Sequence, residues 1–584
     1  MTYQAPLADM TLALAAQPSW RRLQQAGVFE DLSEAFVEQI LSEAGRFCAD
    51  VIAPLQRVGD ANPAHLENGV VRTSPGYKDA YAQLVEAGWQ SLPFPPEHGG
   101  MGLPRVLATA VIEMIQSADM AFGLAPMLSL GAVEALIAHG TEAQQAAYLP
   151  KLVTGEWTGT MNLTEPQAGS DLAGLKTKAI PDGEGGYRLF GQKIYITWGE
   201  HDCADNIVHL VLARLPDAPE GTRGISLFLA PKFLVNADGG LGARNDLRAI
   251  GLEHKLGIHG SPTCTMAFGE AEGAVAELIG EPHRGLAAMF TMMNSARLNV
   301  GAQGVGVAER AYQKALAYAM ERRQGRAPGV DAPAPHPIAH HPDIGRLLMV
   351  ARAKILAGRA ICFAQALAAD LAHHGLDETA AAREALLTPI AKAWGTDMGC
   401  EVTSSTLQVH GGMGFVEETG AAQYYRDVRI APIYEGTNGI QAMDLVGRKV
   451  AADEGRAMAA LLGEIRDHAK ALAEGPLSDL APALERGLGA LAEATAYMVQ
   501  AEPRDRLAGA TPYLSLAGDV IGAHLLLAEA ETAADVEHAG AGARAALARV
   551  FAQAVLSLAP GKAQDAMAGV EALDAATQAA LDAA

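Results

Sequence analysis

The chain has 584 residues, of which 49% are hydrophobic, and this is enough to bury the cores of roughly four domains of ordinary size. Its formal net charge is -23, from 44 basic and 67 acidic residues, so we expect neither a nucleic-acid backbone nor an anionic membrane surface as a partner. The five cysteines are few, odd in number and widely spaced, which argues against a disulfide framework and against a zinc site.

The N-terminus lacks the basic start of a secretory signal, and its apolar run Thr11–Ala16 is short. No later stretch is expected to provide the ~20 apolar residues needed to cross a bilayer. We therefore expect a cytoplasmic globular protein without a membrane span.

Residues 1–155 are predicted to form an N-terminal helical domain, because apolar residues recur there at three- and four-residue spacings. The clearest segments are Leu32–Cys48, Val106–Ile115 and Ala132–His139. Residues 156–285 are predicted to form a middle β domain, since short β-type runs there are bounded by turn residues. These runs are Tyr187–Thr197, Ile207–Leu212, Ile225–Leu229 and Cys264–Phe268.

Helical periodicity returns over residues 286–450, where Met289–Met320 and Ile344–His373 are too long and too alanine-rich for strands. A helical bundle is expected there. Residues 451–584 are rich in alanine and leucine, and a sustained apolar face with low charge density favours an additional helical domain over disorder. The residues of that face are Leu477, Leu480, Leu484, Leu488 and Leu491.

Two patterns invite a ligand interpretation that we reject. The histidines of His336–His341 lie among four prolines and have no cysteines nearby, so we expect a solvated loop and no metal site. The glycines of Gly301–Gly306 have the wrong spacing for a dinucleotide fingerprint and lie inside a helical run, so a Rossmann domain is not expected.

The segment Met161–Asp171 opens the predicted β domain with two small hydroxyl residues in a loop shaped by proline and glycine. Such a loop can bring backbone N–H groups and hydroxyls to a polar ligand, although an ordinary turn has the same composition. The strand end Lys193–Gly199 offers aromatic walls and a hydroxyl, which suit a flat heterocycle.

Two segments of the second helical region could bind a pyrophosphate. Glu321–Arg326 ends a helix with three arginines, and Gln408–Phe415 supplies a glycine-rich approach. Basic residues at a helix C-terminus and a plain interhelical turn are the alternative interpretations.

The segment Tyr434–Gln441 places one carboxylate, Glu435, at a glycine-flanked bend between an apolar run and a helical segment. A carboxylate that acts on a weakly acidic carbon must be shielded from water and held in place, so Glu435 is our candidate catalytic base. An ordinary turn or helix start is the alternative.

Taken in this order, Thr164–Asp171, Ile196–Thr197, Glu321–Arg322, Gln408–Phe415 and Tyr434–Thr437 resemble the motifs of the acyl-CoA dehydrogenase family. The resemblance covers residues from about 40 to 450. It implies a mainly α fold with a central β domain, in which an N-terminal helical domain, a β-barrel-like middle domain and a four-helix bundle enclose FAD. The tail beyond residue 450 is similar to that of extended bacterial members.

The resemblance implies a role for each matching position, with Glu435 as the catalytic base. The implied FAD contacts are Leu163, Thr164, Gly169, Ser170, Tyr195, Ile196, Thr197, Arg322, Gln324, Gln408, Gly411, Gly412, Thr437 and Gln441. The implied substrate contacts are Ser170, Asn294, Arg297, Tyr434 and Gly436. Arg322, Gln324 and the segment from Gln408 would reach the FAD of the adjoining subunit, which implies a homo-oligomer, either a dimer or a dimer of dimers.

The sequence departs from the family pattern at three places. Tyr195 replaces a common tryptophan, and Asn294 replaces a common aspartate near the CoA. The proline-rich segment 327–342 interrupts the usual continuation after the arginine. These departures affect flavin packing, the CoA contacts and the intersubunit adenosine contacts, respectively.

The resemblance also implies the reaction. Hydrogen bonds from the Glu435 backbone N–H and a flavin ribityl hydroxyl would hold the thioester carbonyl and acidify the α-carbon, because they stabilise the enolate charge where it develops. Glu435 would take the α-proton while the β-hydrogen leaves as hydride to flavin N5, giving a trans-2-enoyl-CoA. The electrons of reduced FAD would pass to an electron-transferring flavoprotein.

The expected substrate is 3-(methylthio)propanoyl-CoA, because within the family the sequence is most similar to members that act on this thioester in dimethylsulfoniopropionate breakdown. A straight-chain fatty acyl-CoA is the alternative substrate, and an acyl-CoA oxidase is an alternative reaction on the same fold. From other classes, a non-catalytic helical scaffold and a hydrolase pairing Glu435 with Asp427 are less well supported, since all the flavin motifs are present and no second carboxylate sits in a comparable loop.

Overall fold

The computed structural model describes residues 3–536 and 540–583. These residues fall into two compact units. The helical unit comprises Pro6–Gln39 and the described part of Val300–Ala584, and the sheet unit comprises residues 3–5 and Ile40–Asn299. The predicted fold class, mainly α with a central β region and additional C-terminal helices, is confirmed.

The N-terminal region is mostly helical, apart from the short strands His65–Glu67 and Val70–Arg72, and local caps explain where several helices begin and end. The Asp119 carboxylate accepts hydrogen bonds from the first turn of α7, and a Thr141–Gln144 capping box begins α8. Gly155, at φ +88°, ends α8 in the left-handed conformation. The helices are α1 Leu7–Ala15, α2 Pro18–Gln25, α3 Glu34–Phe47, α4 Gln56–Ala61, α5 Tyr77–Glu86, α6 Arg105–Ala118, α7 Met120–His139 and α8 Glu142–Thr154.

The sheet unit is built on an eight-stranded sheet in the order β10-β11-β5-β12-β7-β6-β3, with β4 paired to both β5 and β6. All four predicted β-type runs lie in its strands. The strands of the chain are β1 His65–Glu67, β2 Val70–Arg72, β3 Trp157–Asn162, β4 Lys178–Pro181, β5 Tyr187–Thr197, β6 Asn206–Arg214, β7 Ile225–Pro231, β8 Phe233–Val235, β9 Leu241–Arg244, β10 Leu247–Leu252, β11 Thr263–Phe268 and β12 Ala274–Ile279.

The core of the sheet unit lies on one face of this sheet, where Leu189, Val211, Phe228 and Met266 are buried together. The central strands β6 and β7 are buried along nearly their whole length, and their sequences are mostly apolar. β3 runs parallel to β6 and delivers the chain into the loop that begins at Leu163.

The second half of the chain is helical. Its two longest predicted helices are confirmed within α9 and α10. The helices are α9 Gly285–Glu321, α10 Pro342–His373, α11 Ala380–Val409, α12 Ala421–Val428, α13 Asn438–Asp444, α14 Arg456–Ala473, α15 Ala481–Gln500, α16 Pro503–Ala508, α17 Ala510–Asp535, α18 Ala541–Ala554, α19 Ala559–Ala566 and α20 Glu571–Asp582.

Helices α9 and α11 touch backbone to backbone at a glycine crossing, which we define as Gly301, Gly304, Gly395 and Gly399. A Cβ added to Gly301 would lie 2.6 Å from the Ala391 carbonyl oxygen, and one added to Gly399 would lie 2.8 Å from the Gly304 carbonyl oxygen. These glycines therefore serve close helix packing, which accounts for the glycine spacing of Gly301–Gly306 without a nucleotide.

The C-terminal helices belong to the helical unit and are tied to its N-terminal helix by charge. The Arg544 guanidinium of α18 donates to Glu529 of α17 at 2.7 Å and to Asp9 of α1 at 2.6 Å. The predicted leucine face is buried, but its helix begins later than expected: Leu477 and Leu480 precede α15, and the short turn Ser478–Leu480 is a 3-10 helix.

The expectation that no stretch of the chain is long and apolar enough to span a bilayer is wrong for two helices. By length and composition, α7 and α17 are apolar enough to cross a membrane. Both are mostly buried inside the fold, as the core helices of folded domains are.

Candidate active site

Glu435 lies in the turn between α12 and α13, in the helical unit. Its backbone is left-handed, at φ +54°, and Gly436 follows at φ +81°. A non-glycine residue in this region costs conformational energy and persists only where its surroundings hold it. The bend predicted from the flanking glycine is therefore present, and it is a strained one.

Gln441 is the main clamp on this turn. Its fully buried side-chain Nε2 donates to the carbonyl oxygens of Glu435, at 3.4 Å, and Gly436, at 3.2 Å. Thr437 caps α13, because its hydroxyl accepts a hydrogen bond from the Ile440 N–H at 3.3 Å. The turn thus leads directly into a helix whose first turn fixes its geometry.

Asn438 anchors the same turn to α11, a role that no sequence motif indicates. Its Oδ1 accepts a hydrogen bond from the buried Lys392 ammonium at 2.8 Å. Its Nδ2 donates to the Thr396 hydroxyl at 2.9 Å and to the Asp397 carboxylate at 2.8 Å. The turn that carries Glu435 is therefore held from both its own helix and α11.

Tyr434 is half-buried, and its hydroxyl donates to the Gln303 side-chain oxygen of α9. Burial and the neighbouring Glu435 charge both raise the pKa of Tyr434, so its hydroxyl stays protonated and available as a donor. Gln303 is a second site residue that the sequence did not indicate. It fixes the orientation of the aromatic ring next to the candidate base.

Arg322 and Gln324 lie exposed just beyond the end of α9, and the Arg322 guanidinium donates to Gln324 Oε1 at 3.1 Å. The proline-rich segment folds back along them: Ile338 N–H donates to the Arg322 carbonyl at 2.8 Å, and Gln324 N–H donates to the His336 carbonyl at 2.9 Å. The segment therefore shapes the backbone that presents Arg322 and Gln324.

His336 is buried at the centre of this fold-back. Its Nδ1 accepts from the Ala327 N–H at 3.0 Å, and its Nε2 donates to the Ala332 carbonyl at 2.8 Å. The expectation of a solvated loop is wrong for this histidine, which is only 2% exposed and holds the loop together. Within residues 3–536 and 540–583, no group of three or more metal-ligating side chains is close enough to hold an ion.

Gln408, Gly411 and Gly412 are exposed at the end of α11. The preceding His410 packs its ring against Tyr318 of α9 at 4.8 Å between ring centroids. Since Tyr318 lies one turn before Arg322, this contact brings the exposed ends of α9 and α11 close together. The two predicted pyrophosphate segments are therefore neighbours.

In the sheet unit, the loop after β3 is organised around Glu165, whose role was not foreseen. The Glu165 carboxylate accepts hydrogen bonds from the Lys176 N–H at 2.7 Å, the Thr177 hydroxyl at 2.6 Å and the Lys193 ammonium at 2.9 Å. Both ends of this ion pair are buried, with side-chain exposures of 3% for Glu165 and 0% for Lys193.

The pKa values of this ion pair reflect its burial. Burial alone would raise the pKa of Glu165, but the Lys193 charge and the hydrogen bonds outweigh it and lower the pKa to about 2. Burial lowers the pKa of Lys193 to about 8, although Glu165 opposes that shift. Lys193 also donates to the Leu163 carbonyl at 3.0 Å, so the pair holds the loop against β5.

Leu163 and Thr164 are half-buried at the start of this loop, and the Thr164 carbonyl accepts a hydrogen bond from the Ile194 N–H at 2.9 Å. Gly169 and Ser170 are exposed at its tip. The loop therefore lies next to the strand end that carries Tyr195, so the loop and the strand end can contact the same ligand.

Tyr195 sits on a bulge of β5. The pairing register with β11 shifts between Cys264 and Met266, and the Tyr195 backbone is left-handed at φ +60°. Its ring is 60% exposed, whereas the next residue, Ile196, is buried. Thr197 pairs with Thr263 at the end of the strand. The bulge turns an aromatic ring outward at the strand end.

Asn294 and Arg297 lie one turn apart on the sheet-unit part of α9. The Arg297 guanidinium donates to the Asn294 side-chain oxygen at 3.2 Å and lies 5.7 Å from the centroid of the Phe290 ring. Arg297 is buried, whereas Asn294 is exposed. The asparagine that departs from the family pattern thus orients the arginine.

Three features fit a bound group with a flat ring and phosphates. The Oε1 atom of buried Gln441 has no hydrogen-bond partner among the described residues. Open space surrounds the Cα atoms of Gly169, Gly411 and Gly412, where an added Cβ would meet no atom within 4 Å. The Tyr195 ring presents an uncovered aromatic face. Each of these features, taken within its own unit, suits a contact with a dinucleotide such as FAD.

Family models match most of the chain. Residues 36–156, 160–271 and 283–451 match the N-terminal, middle and C-terminal domains of acyl-CoA dehydrogenase. Residues 461–576 match a model described as acetyl-CoA dehydrogenase C-terminal like.

Relatives are similar along nearly the whole chain. The 3-methylmercaptopropionyl-CoA dehydrogenase of Ruegeria pomeroyi is 47% identical over 95% of this chain and 96% of its own length. The broad-specificity linear acyl-CoA dehydrogenase FadE5 of Mycobacterium tuberculosis is 35% identical over 88% of each chain. The structure of a Bacillus anthracis acyl-CoA dehydrogenase in complex with FAD shares the fold, with a TM-score of 0.74 and 23% identity over 92% of this chain and 88% of its own.

The chain belongs to the acyl-CoA dehydrogenase family. It is therefore an oxidoreductase that uses FAD to dehydrogenate an acyl-CoA thioester.

Proposed function

We propose that the protein converts 3-(methylthio)propanoyl-CoA to 3-(methylthio)acryloyl-CoA, with Glu435 as the base that removes the α-proton. The observation that carries the assignment of the base is the left-handed turn at Glu435, which Gln441 clamps through two backbone carbonyls. Strained, well-supported backbone of this kind is found at catalytic residues, where it fixes the direction of a side chain.

The chemistry requires a carboxylate that is held in place and a thioester whose α-carbon is acidified. The Glu435 side chain is half-buried, and the oriented Tyr434 ring beside it limits the access of water. The Glu435 N–H would donate to the thioester carbonyl and stabilise the developing enolate charge. The α-proton then moves to the Glu435 carboxylate, which must start ionised in order to accept it.

The proposed FAD contacts of the sheet unit lie in the loop after β3 and at the end of β5. Leu163, Thr164 and Thr197 supply backbone and hydroxyl groups, Tyr195 and Ile196 supply apolar surface, and Gly169 and Ser170 allow close approach. Thr437 and Gln441 would contact the cofactor from the turn of the base. The chemistry that bound FAD would supply is the uptake of the β-hydrogen together with its electron pair. Ser170, Asn294, Arg297 and Gly436 would contact the acyl-CoA.

Arg322, Gln324, Gln408, Gly411 and Gly412 would contact FAD bound to an adjoining subunit, so we propose a homo-oligomer, a dimer or a dimer of dimers. Their exposure at the neighbouring ends of α9 and α11 supports this assignment. An electron-transferring flavoprotein is the proposed electron acceptor, and the cytoplasm is the proposed location.

The choice of substrate rests on the Ruegeria pomeroyi relative, a 3-methylmercaptopropionyl-CoA dehydrogenase that is 47% identical over 574 residues. A straight-chain acyl-CoA is the second candidate, because the linear acyl-CoA dehydrogenase FadE5 is 35% identical over 543 residues. The two substrates differ by a thioether sulfur in place of a methylene.

Anaerobic flavin bleaching tests the proposal. The yellow holoenzyme is mixed without oxygen with 3-(methylthio)propanoyl-CoA, butyryl-CoA, pentanoyl-CoA and octanoyl-CoA, and the rate of loss of flavin absorbance is measured. We expect the thioether substrate to bleach the flavin with the largest kcat/KM. Faster bleaching by pentanoyl-CoA, which matches its chain length, would overturn the substrate assignment. Rapid peroxide formation on admission of air would instead identify an oxidase.

A further inference from the structure

A cavity of about 1150 Å³ lies within the helical unit, and its lining shares no residue with the predicted active site. Its walls come from α2, α10, α11, α14, α17 and α18. The volume is slightly above the range of about 300–1,000 Å³ that is usual for small-molecule sites. Lining side chains Glu464 and Asp467 are 54% and 78% exposed, so the cavity communicates with solvent.

The inner wall of the cavity is aliphatic. Its lining includes Leu371, Leu387 and Ile521, together with alanines such as Ala368 and Ala528. Short alanine side chains leave space that larger residues would fill, and close packing is the rule elsewhere in protein interiors. An apolar chain could therefore bury its surface here without displacing protein atoms.

The charged groups of the lining are unbalanced. Among the described residues, five carboxylates line the cavity against two guanidinium groups, and Asp467 also pairs with Lys470 at 3.0 Å, so an excess of two negative charges remains. Both guanidinium groups already bind lining carboxylates: Arg22 binds Asp377, and Arg383 binds Glu464 with one contact at 3.0 Å. A positively charged ligand would complement this lining, whereas an anionic one would be repelled.

A polar relay gives the cavity a hydrogen-bond acceptor. His468 Nε2 contacts the Glu531 carboxylate at 2.8 Å, and His468 Nδ1 lies 2.7 Å from His524 Nδ1. Because the carboxylate must accept, His468 Nε2 carries a proton and, in a neutral ring, its Nδ1 accepts from His524. His524 then keeps its Nε2 as an acceptor, and no hydrogen bond from the described residues reaches that atom.

The charge state of His524 supports its assignment as a hydrogen-bond acceptor. Burial is the main cause that lowers the pKa of His524 to about 3, and the positive charge of Arg383 lowers it further. The ring is therefore neutral at pH 7, and its Nε2 lone pair suits the N–H of an ammonium group.

From this geometry we propose that the cavity is a second ligand site that binds a small cationic amphiphile, with its alkyl chain along the aliphatic wall and its ammonium group donating to His524 Nε2 beside Glu531. The site is separate from the acyl-CoA chemistry and needs no contribution from FAD.

Calorimetric titration of the holoenzyme with decylammonium, decanol and decanoate, each below its aggregation concentration, tests the proposal. We expect decylammonium to bind once per chain and at least ~10-fold more tightly than decanol, and we expect decanoate to bind most weakly. A factor of ~10 in affinity corresponds to one favourable charge interaction of modest strength. Equal affinity for decanol and decylammonium, tighter binding of decanoate, or no saturable binding would overturn the proposal.

Variants separate this site from nonspecific binding to an acidic protein. Ala528→Trp should fill the cavity and abolish saturable binding, whereas Leu558→Trp, at an exposed position outside the lining, should leave it unchanged. Glu531→Gln should keep chain binding and reduce the preference for decylammonium over decanol about tenfold. Flavin absorbance and circular dichroism check folding. Should Ala528→Trp not fold, an unchanged preference in Glu531→Gln would by itself overturn the proposal.

Discussion

Two glutamates, each next to a turn, show how the surroundings decide the use of a carboxylate. At Glu165, the neighbours bind the carboxylate itself: a buried ammonium, a hydroxyl and backbone N–H groups surround it. At Glu435, the neighbours that we identify bind the backbone: Gln441 clamps two carbonyls, and Asn438 anchors the turn.

The difference separates a structural carboxylate from a chemical one. A carboxylate whose oxygens are occupied by buried donors stays ionised to low pH and cannot take up a proton at neutral pH. A carboxylate that is positioned through its backbone keeps its proton-accepting function. Substitution should therefore lower stability at Glu165 and reaction rate at Glu435, and the following predictions test this contrast.

Glu165→Gln should lower the free energy of unfolding by about 3 kcal/mol, the lower end for breaking a buried ion pair, because Lys193 can lose its proton when its partner is gone. Urea unfolding at pH 7 measures the change. The matched control is Glu270→Gln, which removes a pair with Arg248 that is half-exposed on both sides and should cost less than about 1 kcal/mol. Equal costs for the two variants would contradict a structural role for Glu165.

The same pair predicts a pH dependence. The folded pKa of Glu165, about 2, lies below its ordinary value of 4.5, so the unfolded state binds more protons as the pH falls. The stabilisation is complete above pH 4.5 and is lost progressively toward pH 2, to a total of about 3 kcal/mol. Urea unfolding between pH 6 and pH 3 should therefore show a steeper decline in the natural protein than in Glu165→Gln. Parallel declines would rule out this linkage.

Glu435→Gln should retain bound FAD and the natural stability but lose at least ~10²-fold in kcat, since the amide cannot accept the α-proton. A dye-linked assay and the flavin spectrum measure both properties. Glu418→Gln, at an exposed position before the same turn, is the control and should be indistinguishable from the natural protein. Near-normal turnover by Glu435→Gln would refute the assignment of the base.

Gln441→Met should reduce kcat about tenfold, because two hydrogen bonds that hold the turn, each contributing about 0.5–1.5 kcal/mol, are lost while side-chain volume is kept. If the buried Oε1 atom of Gln441 contacts FAD, the variant should also release FAD more readily. Ultrafiltration measures the fraction of FAD that is released. A tighter-binding or fully active variant would show that the turn holds its shape without Gln441.

Much of the fold could be predicted from local patterns. The alternation and turn residues around Tyr187–Thr197 predicted strand β5 to the residue, and the long apolar periodicities predicted α9 and α10. Strand β3 was missed because nearly all its residues are buried, so it lacks the alternation of a half-exposed strand. The turn at Glu435 was found because a glycine marks it.

The supporting partners of the site could not be predicted, because each depends on a contact between distant parts of the chain. Glu165 meets Lys193 across 28 positions, Lys392 meets Asn438 across 46, and Gln303 meets Tyr434 across 131. No local periodicity or motif reports such pairings. The buried His336 was misjudged for the same reason, since only the folded loop shows what its ring binds.

The glycine crossing bears on how natural variants of this protein should be interpreted. Gln303 lies between Gly301 and Gly304 on α9, and Lys392 lies one turn before Gly395 on α11, so the anchors of the catalytic turn come from the segments that the crossing presses together. A single methyl group added there would push these anchors apart. Such a variant would lower kcat as an active-site substitution does, although the altered residue contacts neither substrate nor cofactor.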